Sequence, residues 1–493
     1  MSALPIPGHV VDVERSRPAP SLVLQAPHPL VWAYLAVSGL VVVLMMALGV
    51  WMRLAQSGAT ATLPPVWFYR VLTLHGVGMI GISGLAGAAI LWHFLGRHVE
   101  LSARIFAANL ILFLVGVLLL FGPVLFAGYA GTWTFLYPLP RLSGGAWEPA
   151  AAAVHLGGLL LVGVGFLLLH LDVARALQVR YGSVARALGW PQLFGGSSAE
   201  PPPPAVVASA VVLIVNVLGL VAGASILTMT IVNALVPAFA IDALLAKNLT
   251  FFFGHVFINA AIYMGVIAVY EVLPLYAGRP WKTSRLFLAA WNCTALMVMV
   301  VYPHHLLMDL SLPAWMRVMG QVVSYASGLP VLLVSALGGL ALVHRSGMRW
   351  DIASALLFLS LFGWSAGVIP AVIDGTIAVN RVMHNTQWVP GHFHFYLLLG
   401  LFSMVFGFMY FVTGRARRDS GWDRAAFVGY VVGGLGVVLS FLAAGSAGVP
   451  RRYAVHMDSW TGFDLAGALA GALVAASTAV FGVRCFLRAR SGA

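Results

Sequence analysis

Twelve separate stretches of this chain are apolar for long enough to cross a bilayer, which takes about 20 residues in a helix. They lie near 30–53, 67–95, 104–129, 149–171, 205–230, 248–274, 284–308, 315–344, 351–373, 389–414, 425–447 and 461–486. Inside lipid a backbone must satisfy its own hydrogen bonds, so runs of this length are helices. The fold expected is an all-α membrane protein of about twelve transmembrane helices. Only 9% of the 493 residues are charged and 61% are hydrophobic, against about 25% charged in an average soluble domain. Residues 1–29 are polar and proline-containing and lack the apolar core and cleavage site of a signal peptide. They read as a cytoplasmic tail, followed by a single polytopic domain over 30–488 and a short cytoplasmic tail at 489–493.

The cations give the orientation. Connections after even-numbered helices carry Arg97 and Arg104, then Arg175, Arg180 and Arg186, then Arg279, Lys282 and Arg285. The series continues with Arg345 and Arg349, with Arg415, Arg417 and Arg418, and with Arg484, Arg488 and Arg490. Connections after odd-numbered helices are poor in Lys and Arg and rich in Pro, Gly and Trp. The positive-inside rule then places both termini in the cytoplasm. The formal net charge of +12 is accounted for by these loops, and no nucleic-acid groove is indicated. Two cysteines, Cys293 and Cys485, sit far apart and form neither a CxxC pair nor a disulfide framework. Histidine is left as the metal-binding side chain.

Six histidines fall in the outer half of the membrane on that topology. His75 lies about nine residues into helix 2, His255 near the outer start of helix 6, and His304 and His305 at the outer end of helix 7. His392 and His394 lie near the outer start of helix 10, in Trp388-Val389-Pro390-Gly391-His392-Phe393-His394. Polar groups in lipid are expensive and functional by default. At 3.6 residues per turn, positions two apart point roughly 200° from each other. His392 and His394 therefore face opposite sides of one helix, as a wall between two metal centres would require; histidines anchored at an interface are the plainer alternative. Imidazole suits copper and haem iron. His255, His304 and His305 can supply three imidazoles to one copper, with His392 holding a haem iron on that side. His394 can pair with His75 on a second, six-coordinate haem. The remaining histidines, among them His9, His28, His93, His98 and His344, lie mostly near ends or loops.

These strings carry a resemblance. Leu72-Thr73-Leu74-His75-Gly76, Gly254-His255, Pro303-His304-His305 and His384-Asn385-Thr386 leading into Trp388–His394 resemble catalytic subunit I of the haem–copper oxidase superfamily, over essentially the whole chain. With Val449-Pro450-Arg451-Arg452-Tyr453, the run from His384 is most similar to the B-type branch. The resemblance implies a low-spin haem on His75 and His394, a high-spin haem on His392, and one copper ion on His255, His304 and His305. It also implies that Arg451 and Arg452 pair with haem propionates, helped by His384. A solvated loop is the competing reading of the arginines.

One position departs from the pattern. Oxygen reductases of the family carry a cross-linked tyrosine four residues after the first copper histidine; here that residue is Asn259. The alternative placement on helix 7 is Val298, and Tyr302 matches neither. Family members that reduce nitric oxide dispense with the tyrosine, and an amide beside copper can donate and accept hydrogen bonds. Reduction of nitric oxide to nitrous oxide is thus slightly favoured, with reduction of dioxygen to water as the alternative. The glutamates that common nitric oxide reductases carry near the metals have no counterpart at matching places.

His255, Asn259, Tyr263 and Tyr270 follow steps of four, four and seven, which puts them on one face of helix 6. They read either as a proton path ending near Glu271, joined by Ser324, Tyr325 and Ser327 of helix 8, or as packing residues. The expected enzyme is a respiratory haem–copper oxidoreductase in a bacterial-type cytoplasmic membrane, with its site toward the outer face. Its electrons come from a cytochrome c-type donor or a companion subunit II. A twelve-helix secondary transporter, which calls for charges or broken helices at the midplane, fits the sequence poorly.

Overall fold

A computed structural model describes residues 26–60, 63–196, 199–414 and 418–490. Most of the expected N-terminal tail, Arg415 and Arg417 of the cation series, and residues 491–493 lie outside the described residues. Twelve helices are long and apolar enough to cross a membrane: α1 Pro29–Gln56, α2 Pro65–Leu95, α3 Ala103–Phe126, α4 Pro149–Tyr181, α5 Pro204–Leu235, α6 Ala243–Ala277, α7 Arg285–Leu306, α8 Ala314–Val343, α9 Ile352–Asp374, α10 Trp388–Val412, α11 Gly421–Ser446 and α12 Asp458–Arg490. The chain is an all-helical, multi-pass membrane protein.

The helices begin where local chemistry sets their starts. Proline occupies the first turn of α1, α2, α4 and α5, where a missing N–H costs nothing. Ser102, Asp242, Ser284 and Ser420 accept from backbone N–H groups at the starts of α3, α6, α7 and α11. α4 runs on to Tyr181, ten residues past the apolar run 149–171. Asp172, buried at that end, takes Arg175 as its partner at 2.7 Å.

Antiparallel neighbours pack in sequence, α1 on α2, α3 on α4, α5 on α6 and α11 on α12, and α12 returns to α1. The pairs Arg97–Glu271, Tyr276–Asp351 and Arg484–Asp423 tie together the ends of even helices and the starts of odd ones. These cation-bearing segments therefore share one end of the bundle. Two helices sit deepest: the most apolar windows of α6 and α10 are 83% and 89% buried. They are also the helices that carry His255, His392 and His394.

Small residues let α10 approach its neighbours, since without a hydrophobic force between helices in lipid it is close packing that joins them. A methyl group added at Gly445 of α11 would overlap the backbone of Trp388. Immediately after the two histidines, α10 widens into a π-helical segment, Phe395–Phe402. A second π segment, Leu333–Leu337, interrupts α8. Such bulges are frequent at functional sites.

Candidate metal centre

His75, His255, His304, His305, His392 and His394 all line one cavity of about 1300 Å³. A typical small-molecule pocket holds about 300–1,000 Å³, so this space exceeds what one modest ligand fills. Its walls come from α1, α2, α6, α7, α8, α9, α10, α11 and α12 and from the loops at the end of the bundle opposite Glu271.

His75 of α2 and His394 of α10 face each other, with ring centroids 6.5 Å apart and planes 14° from parallel. Each places Nδ1 2.7 Å from a backbone carbonyl, Met45 for His75 and Pro390 for His394. A carbonyl can only accept, so both Nδ1 atoms carry the proton and Nε2 is the nitrogen left for a metal. Phe441 stacks on His394 at 4.9 Å. Gly49 leaves room for His75: a Cβ there would lie 2.9 Å from the ring.

His255, His304 and His305 form the second set. Each offers a ring nitrogen, and the three nitrogens lie within 4.8 Å of one another. His304 and His305 sit on a tight 3₁₀ turn, Tyr302–Leu306, that ends α7, and their rings are 4.2 Å apart. Gly320 of α8 packs against that turn, where a Cβ would meet the His304 N at 2.9 Å. Ser324 Oγ lies 3.1 Å from His304 Nδ1. Three imidazoles converging at this distance are a donor set for copper or zinc.

His392 lies on the same side of α10 as that triad, and His394 faces away from it. The i, i+2 spacing thus gives two directions, as the helical period requires. His392 Nδ1 is buried with no hydrogen-bond partner, and the Asp374 carboxylate lies 3.9 Å away.

On α6, Asn259 Nδ2 donates to the His255 carbonyl at 2.8 Å and lies 3.3 Å from His255 Nε2. Tyr263 donates to Asn259 Oδ1 at 3.4 Å. Tyr270 bonds instead to Ser335 in the π segment of α8. The expected single row is therefore two hydrogen-bonded segments. Tyr325 turns away to Thr376 at 2.6 Å and does not join the row, because α8 presents that side to the loop after α9. Glu271, at the far end, pairs with Arg97 and His98.

The loops over the cavity are strapped together. Thr386 and Pro450 form a β-bridge, and Arg451 N donates to the Asn385 carbonyl at 2.9 Å. Arg452 holds φ +66, an uncommon conformation for a non-glycine residue, and reaches Thr134 Oγ1 at 3.1 Å. Burial and the neighbouring Arg452 push the Arg451 guanidinium down to about 10, with Asp374 opposing. Burial and both guanidinium charges hold the His384 imidazole down to about 4. Arg451 and Arg452 border the cavity beside a neutral His384, so its rim is cationic and suits anionic groups.

Several cavity residues escape sequence reasoning. Arg53 ends the first apolar run and reads as a boundary. In the fold it is buried, pairs with Asp464 of α12 at 2.6 Å, reaches Gln387 at 3.0 Å and covers Phe441 at 4.7 Å. His456 holds the other Asp464 oxygen at 2.6 Å. Trp133, in the tryptophan-bearing loop after α3, stacks parallel to Phe393 at 6.1 Å. The only sequence signal for these was that the outer loops are rich in tryptophan. His155 and His170 are likewise deep in α4, but they lie outside the cavity and bond to the Leu120 and Phe166 carbonyls.

The donor chemistry fits two haems and one copper: an orphaned buried imidazole nitrogen, a facing imidazole pair, a three-imidazole cluster and a cationic rim share one large cavity. Comparison with known proteins agrees. The family model for cytochrome c and quinol oxidase polypeptide I matches residues 29–473. A cytochrome c oxidase subunit 1 of Synechocystis is 25% identical over 448 residues, 86% of this chain and 76% of that one. A heme-copper oxidase subunit I+III of Aeropyrum pernix is 26% identical over 267 residues, 50% of this chain and 30% of the relative. A cytochrome c oxidase subunit 1 of Plasmodium falciparum is 27% identical over 46% of this chain and 49% of its own length. The chain thus spans less than half the length of the last two. A heme-copper terminal oxidase dimer solved by cryo-EM superposes with a TM-score of 0.78 at 19% identity, over 94% of this chain and 84% of the other; the fold is shared.

Proposed function

Because the chain belongs to the cytochrome c and quinol oxidase polypeptide I family, we propose that it is the catalytic subunit of a respiratory haem–copper oxidoreductase that reduces a small gas. One observation carries the reading: a facing imidazole pair and a three-imidazole cluster lie on opposite sides of α10 in a single cavity. His75 and His394 would hold a low-spin haem, His392 a high-spin haem, and His255, His304 and His305 one copper ion. When bound, these groups supply one-electron carriers and the sites at which the gas is held and reduced.

The chain's own residues do the rest. The carbonyls of Met45 and Pro390 fix the tautomers of His75 and His394, so both present Nε2. Phe393 separates the two oppositely directed histidines by one residue. Arg451 and Arg452, with His384 kept neutral between them, suit haem propionates through the guanidinium fork. Electrons would come from a cytochrome c-type donor or a companion subunit II. Cys293 and Cys485 lie in different helices, and no cysteine pair for a further copper site exists. The cationic end of the bundle would face the cytoplasm of a bacterial-type inner membrane, with the cavity toward the outer side.

Nitric oxide is the favoured substrate: two molecules, two electrons and two protons give nitrous oxide and water. Asn259 supports this reading, since it stands where a redox tyrosine would be and directs its amide to His255. An amide can hydrogen-bond a bound N–O group but cannot give up an electron and a proton. Dioxygen reduction to water is the second reading, favoured by the relatives named cytochrome c oxidase subunit 1. Protons would enter along Tyr270–Ser335 and Tyr263–Asn259, with internal water bridging the two segments. The deciding experiment follows nitric oxide and dioxygen separately at an electrode, using one purified reduced complex and one donor. Fast nitric oxide loss with nitrous oxide formed and slow oxygen uptake supports the first reading; fast oxygen turnover overturns it.

A further inference from the structure

Three histidines are assigned here to haem, and they differ in what stands behind the ring. His75 and His394 each give Nδ1–H to a neutral backbone carbonyl at 2.7 Å. His392 has no such partner: its Nδ1 is buried and makes no hydrogen bond. A buried N–H is seldom left bare, and an exception calls for an explanation. The acidic group facing it is Asp374, the last residue of α9, whose Oδ2 lies 3.9 Å from Nδ1.

Asp374 is itself fixed. Asn380 Nδ2 donates to its backbone carbonyl at 2.7 Å and to Oδ1 at 3.2 Å. Oδ2 is left toward His392, and Arg451 is the cation in electrostatic reach of the carboxylate. α9 packs directly against the His392 turn of α10. The 3.9 Å separation is about 1 Å longer than a hydrogen bond, a gap that a small adjustment of either side chain would close.

Resting on the assignment of His392 to the high-spin haem, we propose that Asp374 is its positioning carboxylate. It would accept a hydrogen bond from Nδ1–H, orient the ring so that Nε2 is the nitrogen offered to the haem, and lend the imidazole anionic character. A carboxylate behind a metal-binding imidazole raises its basicity, and losing such a partner costs about 10–100-fold in metal affinity or activity. The two haem positions would then differ by design: neutral acceptors behind the electron carrier, a charged one behind the gas-reducing iron. A more basic imidazole at His392 would lower the potential of the haem it holds.

The test is resonance Raman spectroscopy of the reduced, gas-free holoenzyme, with redox titration of each haem. Asp374→Asn should lower the iron–histidine stretching frequency of the high-spin haem and raise its midpoint potential, leaving the low-spin haem unmoved; Asp374→Glu should restore part of both shifts. An unchanged iron–histidine band in Asp374→Asn overturns the proposal. Should that variant fail to assemble, the unsubstituted enzyme decides. Its band should lie above that of haem proteins whose proximal imidazole donates to a neutral acceptor, and a band at the neutral position overturns the proposal. His392→Ala separates the premise. It should lose the high-spin haem and keep the low-spin spectrum, and retention of both haems would refute the assignment of His392 whatever Asp374 does.

Discussion

His75 and His394 come from helices more than three hundred residues apart in sequence, yet their rings face each other at 6.5 Å with planes 14° from parallel. Both spend Nδ1 on the backbone, so both present the same nitrogen to the space between them.

The first expectation concerns that pair. His75→Ala and His394→Ala should each remove the low-spin haem, halving the haem per chain measured by the pyridine haemochrome assay, with copper retained. Gly49→Val should broaden or shift the same spectrum without touching a ligand, because a side chain there meets the His75 ring at 2.9 Å already at Cβ. An intact low-spin spectrum in Gly49→Val would mean that α1 does not hold the ring in place.

Copper content is separable from haem content. Replacing His255, His304 or His305 by Ala leaves two imidazoles of a three-ligand cluster whose nitrogens lie within 4.8 Å. Metal analysis of the purified variants should show copper falling from about one per chain to near zero, and both haems should remain. Equal loss of haem and copper would point to misassembly, and retention of copper would remove the residue from the ligand set.

At Asn259 the effect should be modest in size and specific in kind. Asn259→Ala removes a 3.3 Å contact with His255 Nε2 and a 3.4 Å contact with Tyr263. A hydrogen bond is worth about 0.5–1.5 kcal/mol net, and about 1.4 kcal/mol is tenfold in rate. Nitric oxide turnover should fall roughly threefold to tenfold at unchanged metal content. A drop of that size in nitric oxide turnover, with little effect on residual oxygen uptake, is the signature of an amide that contacts the N–O group.

His384 gives a pH dependence. Burial, then the charges of Arg451 and Arg452, lower its folded pKa from 6.5 to about 4. The unfolded chain binds the extra proton between these values, so folding stability is full above pH 6.5 and falls as pH drops toward 4. Thermal melts of His384→Gln should match the wild type's pH trend above 6.5 and lose less stability below it. Parallel curves across the window would show that the fold does not hold His384 neutral.

Much of this is legible in the sequence. Twelve helices follow from twelve apolar runs, because lipid leaves the backbone no other partner. The opposed directions of His392 and His394 follow from the helical period alone. Less legible were residues whose role depends on a partner far along the chain. Arg53 looks like the end of an apolar run until Asp464 and Gln387 enclose it. The α6 row looked continuous because spacing fixes only a face; Tyr270 leaves that row for Ser335 because a π segment in α8 brings the hydroxyl close.

The amino-acid order by itself determined the helix count, the family's histidine pattern and the absence of the redox tyrosine at Asn259, since these depend on composition and local period. Only the tertiary structure decided which histidines share a cavity, that a carboxylate stands behind His392, and that two arginines and a neutral His384 close the rim. Those relations join α2 to α10, α6 to α7, α9 to α10 and one outer loop to another, and no local rule couples residues that meet only once the helices have packed.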